Sequence, residues 1–138
     1  MFDYESKIDV AIHNSIKTGG WNMKAFNHCK SSVKYFGGIE EDYIEIHQWF
    51  DRTKDHYGDI RHRALRHHTL GVKQCEDKFG VTICNSDKKW IPVRSIAEQH
   101  IREDLGFIPT VQDWFKEMQP KSWMASNRRV VKKKMNLM

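Results

Sequence analysis

Two histidine–aspartate pairs carry the clearest chemistry in this chain. His47 precedes Asp51 in His47-Gln48-Trp49-Phe50-Asp51, and His100 precedes Asp104 in His100-Ile101-Arg102-Glu103-Asp104. A helix puts residues four apart on one face, so each pair presents imidazole beside carboxylate. Between the pairs runs Arg61-His62-Arg63-Ala64-Leu65-Arg66-His67-His68. Neutral imidazole and carboxylate together suit zinc, manganese, iron or nickel. The same groups also serve acid–base catalysis or a buried polar network that fixes packing. Two histidines and one carboxylate around an ion with open positions would turn bound water into a nucleophile.

The elements that must position these groups are mostly helical. Asp3 to Lys17 spaces Ile8, Ile12 and Ile16 as an amphipathic helix, closed by Gly19-Gly20. Asn22 to Tyr35 carries Phe26, Cys29 and Val33 at helical spacing, ended by Phe36-Gly37-Gly38. A third helix is predicted from Glu40 to Tyr57, with acids at its start as the helix dipole prefers. A fourth is predicted from Asp59, a good N-cap, to Phe79, closed by Gly80. Val81 to Cys84, a turn over Asn85 to Lys89, and Trp90 to Val93 read as a β-hairpin with Pro92 on an edge. Arg94 to Leu105 is a fifth helix before Gly106, and Thr110 N-caps a sixth that ends near Met118. The expected fold is mainly α: a bundle of about six helices with one β-hairpin over residues 81–93.

Advancing 100° per residue sorts the polar groups by face. On the fifth helix His100 and Asp104 fall inside the apolar stripe of Ile96, Ala97, Ile101 and Leu105. An ionisable pair there is costly unless paired or ligating. On the fourth helix, His68 and Arg61 fall in the stripe of Ala64, Leu65, Val72 and Cys75. His62 points outward with Arg66 and Lys73, and His67 lies at the margin. On the third, His47 and Asp51 flank an aromatic stripe, and Trp49 faces the other way as an expected exposed contact. The candidate metal ligands are therefore His47, Asp51, His68, His100 and Asp104. Arg61 and His68 are the candidate catalytic side chains, Arg61 to stabilise phosphate charge.

The chain has 138 residues, a formal charge of +5 and a pI near 9.1. Such a balance favours polyanions. A basic surface of Arg63, Arg66, His67 and Lys73, the tail residues Arg128 and Arg129, and Trp49 for stacking make candidate contacts to nucleic acid or a partner. The alternative is a solvated basic face. Cys29, Cys75 and Cys84 are odd in number and widely spaced, which excludes a disulfide framework and leaves inert thiols or a zinc ligand. Cys75 lies seven residues from His68, about 10 Å along a helix, too far for a thiol–imidazole pair. No P-loop, GxGxxG, HExxH or GxSxG is present. A His-Asp dipeptide is also missing, so the helical HD-type metal phosphohydrolases are an analogy only. No apolar run approaches the roughly 18–20 residues that span a bilayer. Met1 to Glu5 lacks the basic start of a signal peptide, so the expected location is the cytoplasm with no membrane partner.

From Met23 to Met124 the order of motifs resembles a family of small uncharacterised proteins of bacteria and their phages. The resemblance rests on Phe36-Gly37-Gly38, Glu41-Asp42-Tyr43, Ile46 to Asp51, Arg61 to His68, Gly71 and Cys75-Glu76. It continues through Phe79-Gly80, Asn85-Ser86-Asp87, Pro92-Val93-Arg94, Glu98 to Gly106, Ile108-Pro109-Thr110, Asp113-Trp114 and Trp123-Met124. It implies a phage or bacterial cytoplasmic setting and supplies no activity. Residues 1–22 then form an N-terminal extension, 23–124 the domain, and 125–138 a basic, mobile tail. Two functions are expected from these features. One is a metal-assisted hydrolase acting on a nucleotide or nucleic-acid phosphoester. The other is a non-enzymatic phage accessory protein that binds a host protein or nucleic acid, for example to inhibit a defence system.

Overall fold

A computed structural model describes residues 23–125. The expected first helix and the basic tail, with Arg128 and Arg129, lie outside the described residues. The described chain is mainly helical with one antiparallel hairpin, as the periodicities predict. Its elements are α1 (Met23–Phe36), α2 (Ile44–Asp51), α3 (Thr69–Phe79), β1 (Thr82–Cys84), β2 (Trp90–Pro92), α4 (Val93–Leu105) and α5 (Val111–Phe115). Short 3-10 turns occupy Glu40–Asp42, Arg52–Asp55, Ile60–Leu65 and Ser122–Met124. No helix among the described residues is long and apolar enough to cross a membrane.

The core forms where α1, α2, α3 and α4 meet. α4 is its spine: Val93, Ile96, Ala97 and Ile101 are all fully buried at helical spacing. They pack with Cys29 of α1, Tyr43, Ile46 and Phe50 around α2, and Val72 and Cys75 of α3. Gly106 stops α4 in the left-handed region, φ 84°, where its N–H bonds the Arg102 carbonyl. The hairpin pairs Thr82 with Pro92, Ile83 with Ile91 and Cys84 with Trp90. Its turn is built around buried Asn85, whose Oδ1 accepts from the backbone of Asp87 and Lys89 at 3.0 Å each. The Asn85 amide reaches across to the Phe36 carbonyl and the Tyr43 hydroxyl. Ser86 and Asp87 bond Asp42 and Gly38. The hairpin thus clasps the α1–α2 connection and fixes α1 against α4.

The predicted third and fourth helices are both broken. α2 keeps its α-helical geometry for eight residues and then tightens into the 3-10 turn at Arg52–Asp55. The segment Ile60–Leu65 is 3-10 and not α, and a turn over 66–68 separates it from α3. Gly71 shows why the turn is possible. A Cβ there would sit 1.7 Å from the Arg66 carbonyl oxygen, so only glycine lets residues 66–68 fold over the start of α3. A 3-10 turn advances about 120° per residue instead of about 100°. The phase of the predicted stripe is lost before α3 begins, and the faces assigned to residues 61–68 change with it.

Candidate metal centre

Four side chains from three segments converge: Asp51 at the end of α2, His67 from the turn before α3, and His100 and Asp104 from α4. Each offers a ligand atom, and these atoms all lie within 4.8 Å of one another. His67 and His100 are fully buried, Asp51 is nearly so, and the Asp104 side chain has no exposure. Asp104 Oδ2 is 2.9 Å from His67 Nε2 and 3.3 Å from His100 Nε2. His100 Nε2 is also 3.3 Å from Asp51 Oδ1. The other oxygen of Asp104 meets basic side chains: Lys24 Nζ at 2.9 Å, His28 Nε2 at 3.1 Å and Arg63 Nη2 at 3.8 Å.

Hydrogen-bond partners assign the proton on each ring nitrogen. The Gln99 amide nitrogen faces two acceptors, the His28 carbonyl and Glu103 Oε1, both at 2.9 Å. Gln99 Oε1 therefore faces Ser32 and accepts its hydroxyl proton at 2.6 Å. The Ser32 oxygen is left to accept from His47 Nε2–H at 2.7 Å. His47 Nδ1 is then the acceptor for His100 Nδ1–H at 2.9 Å. This relay commits the Nδ1 face of His100 as a donor. Its Nε2 is either a bare lone pair between two carboxylates or a second N–H. Neither oxygen lies well enough along that direction to make a hydrogen bond, and Nε2 has no hydrogen-bond partner among the described residues.

The electrostatics follow the relay. Burial, reinforced by the charge of His100, holds His47 well below the usual imidazole range and keeps it neutral. Burial also works against a charge on His100, but its contacts with Asp104 and Asp51 outweigh it and raise its pKa. Burial pushes His67 down to about 4 despite its bond to Asp104. Burial would raise Asp104, yet the imidazoles of His100, His28 and His67 hold it below the usual carboxylate range. Asp51 is lowered in the same manner, against burial, by His100. The two carboxylates thus favour a proton on His100 Nε2, against the pull of burial.

Of the sequence candidates, Asp51, His100 and Asp104 come together as ligand atoms. His47 does not join them, because its Nδ1 is taken by His100 and its Nε2 by Ser32. His68 is displaced altogether. It is the N-cap of α3, where its Nδ1 accepts from the Gly71 N–H at 2.9 Å, and its ring also bonds the backbone of Leu65 and Ala64. His67 takes the place expected of His68. His62, expected in solvent, is 1 % exposed, because the 3-10 geometry turns it inward. Arg61, expected inside, lies on the surface and pairs with Asp59 at 2.7 Å. Arg63, two residues on, is the arginine that faces Asp104.

The remaining partner candidates are also redistributed. Trp49 is buried and not exposed, with Phe79 at its edge and the Arg66 guanidinium 4.1 Å from its ring centroid. Arg66 also bonds the Trp49 carbonyl. Lys73 is exposed and pairs with Asp77 on the same helix. The basic face expected along residues 61–73 is therefore divided between surface and interior.

His28 was missed by sequence reasoning. Its ring lies tilted against His100, 4.1 Å between centroids, and joins Glu103 to Asp104 through its two nitrogens. Lys24, His28 and Ser32 recur every four residues on α1, and Gln99 and Glu103 do so on α4 beside His100 and Asp104. Two polar rows at helical spacing were the available signal. Cys29 and Cys75 are buried thiols outside the centre, the latter pushed up to about 12 by burial.

No curated protein and no solved structure matches the chain. The model of the family described as domain of unknown function DUF6915 matches residues 23–124, which span the clasp, the relay and all four ligand atoms. The chain belongs to that family.

Proposed function

We propose that this domain binds a divalent transition metal at Asp51, His67, His100 and Asp104, and uses it to hydrolyse a nucleotide or nucleic-acid phosphoester. The observation that carries the metal reading is His100 Nε2, aimed between two carboxylate oxygens at 3.3 Å each. Ligand bonds of about 2.0–2.2 Å around a tetrahedral ion set edges of about 3.3–3.6 Å between donor atoms. The two His100 edges match that figure. Two carboxylates also balance the charge of a divalent ion, and the mixed nitrogen and oxygen set suits zinc, manganese, iron or nickel. His47 behind His100 plays the orienting part that ligating imidazoles commonly need.

An ion that takes a fifth ligand beyond these four donors would supply a water of lowered pKa and a Lewis acid for a phosphoryl oxygen. The chain's own residues supply the rest. Lys24 and Arg63 bring positive charge to the outer oxygen of Asp104, and the +5 net charge favours a polyanionic substrate. Hydrolysis of bis(p-nitrophenyl) phosphate by metal-loaded protein tests this. Turnover that chelation abolishes and His100→Ala removes is the expected result. Metal-loaded protein that cleaves neither this ester nor single-stranded RNA contradicts the hydrolase reading.

One observation favours a second reading. All four ligand side chains are buried, as in a structural site. The ion would then brace the helices of a non-enzymatic accessory protein that binds a host protein or nucleic acid, with exposed Trp90, Phe107 and Trp123 as contacts. Full metal occupancy without turnover, together with salt-dependent RNA binding or a captured partner that Trp90→Ala weakens, would support it.

A further inference from the structure

Beside His67 Nδ1, which belongs to the four-residue group, two further buried acceptors are explained by none of the bonds above. His62 is 1 % exposed. Thr53 Oγ1 donates to the Phe50 carbonyl at 3.2 Å, so it accepts from His62 Nδ1–H at 2.7 Å. His62 Nε2 therefore carries a bare lone pair, and it has no hydrogen-bond partner among the described residues. Asp51 Oδ2 has none either, although Oδ1 of the same carboxylate faces His100. Thr53, which fixes the His62 ring, stands two residues beyond Asp51 on the turn that continues α2. The His62 ring meets His67 edge-on, 5.9 Å between centroids. Buried acceptors are rarely left unpaired. One preset imidazole lone pair and one free carboxylate oxygen, tied to the same turn through Thr53, would both be satisfied by a common cation.

We propose a second cation position held by His62 Nε2 and Asp51 Oδ2, with the Asp51 carboxylate bridging it to the first ion. This rests on reading Asp51, His67, His100 and Asp104 as the first site. The donors are again imidazole and carboxylate, so the second ion belongs to the same class of divalent metals. Carboxylate-bridged pairs of this kind hold their ions about 3.5–4 Å apart. The two positions have different duties. Four protein donors leave the first at most a fifth position, whereas two leave the second more open to water and a phosphoryl oxygen. The open position belongs to His62, a residue the sequence pattern assigns to solvent.

The test is manganese(II) binding to the full chain after chelation, by equilibrium dialysis and electron paramagnetic resonance. Two ions per chain are expected, the second weaker, with exchange-coupled spectra when both are bound. His62→Ala should retain one ion and give an uncoupled spectrum, which also shows that the variant is folded. A wild-type protein that stops at one ion overturns the second position and leaves the first standing. No bound ion removes both. Two ions in His62→Ala would also overturn the assignment. Should that variant not fold, the wild-type protein decides by nitrogen-15 spectroscopy with zinc. The His62 Nε2 resonance must move on addition of the second equivalent, and a resonance that does not move overturns the proposal.

Discussion

Loading the first site should expel one proton, and the proton count follows from the hydrogen-bond relay. With the His100 pKa raised by Asp104 and Asp51 against burial, the metal-free centre is expected to hold a proton on Nε2 between the two carboxylates as well as on Nδ1 toward His47. An ion on Nε2 displaces that second proton. His67 contributes none, since burial keeps it neutral above about 4 and its single proton moves from Nε2 to Nδ1. Asp51 and Asp104 are already ionised, with both pKa values lowered. His100 has its pKa raised, so the proton is present below that value and absent above it. Metal affinity should therefore rise tenfold per pH unit, about 1.4 kcal/mol, from just above the His67 value up to the His100 value, then level off. Isothermal titration calorimetry with zinc, in buffers of different ionisation enthalpy near pH 6, reads the count directly. About one proton per chain is predicted. The second ion adds nothing to that number, because His62 Nε2 is already bare. A count of zero would mean that His100 is neutral in the free protein, with Nε2 already a bare lone pair. A count of two would mean that His67 is also charged.

Further outcomes test the parts separately. His47→Gln should weaken zinc binding about 10–100-fold without abolishing it, as loss of an outer orienting partner does; chelator competition measures this, and complete loss would make His47 a ligand. His68→Ala should cost about 0.5–2 kcal/mol in urea unfolding through loss of the α3 cap, with metal content unchanged. Gly71→Ala should cost at least about 1–3 kcal/mol in the same assay, because its Cβ would meet the Arg66 carbonyl at 1.7 Å; an unchanged midpoint would show that the turn over 66–68 is not fixed.

How far the centre could be read in advance depended on helix continuity. α4 runs uninterrupted from Val93 to Leu105, so one phase holds throughout, and His100 and Asp104 fall inward where the wheel puts them. The hairpin, the α1 stop at Gly37-Gly38 and the Thr110 cap were legible because turn and cap chemistry is local. The stretch from Arg52 to His68 was not. Its residues have the composition of a helix, and nothing local announces a switch to 3-10 geometry except Gly58 and Gly71. Gly71 needs tertiary context to be understood: it matters because the Arg66 carbonyl lies against it, and Thr69 starts α3 with its N–H on the Pro109 carbonyl at 2.9 Å. Phase error there exchanged His67 for His68, Arg63 for Arg61, and an interior His62 for a solvated one. His28 escaped for another reason. Its partners Glu103 and Asp104 lie more than seventy residues away.

Elemental analysis of untagged protein, paired with thermal unfolding before and after chelation, tests the metal centre most directly. The account predicts at least one equivalent of zinc, manganese, iron or nickel, reduced below one in His100→Ala. Free metal at about a thousand times the dissociation constant should add about 4 kcal/mol to stability. At roughly 4–8 °C per kcal/mol for a domain of this size, chelation should then lower the midpoint by well over 10 °C. Protein that takes up none of these ions, and whose midpoint does not move on chelation or on adding metal back, would contradict the claim that Asp51, His67, His100 and Asp104 form a metal site.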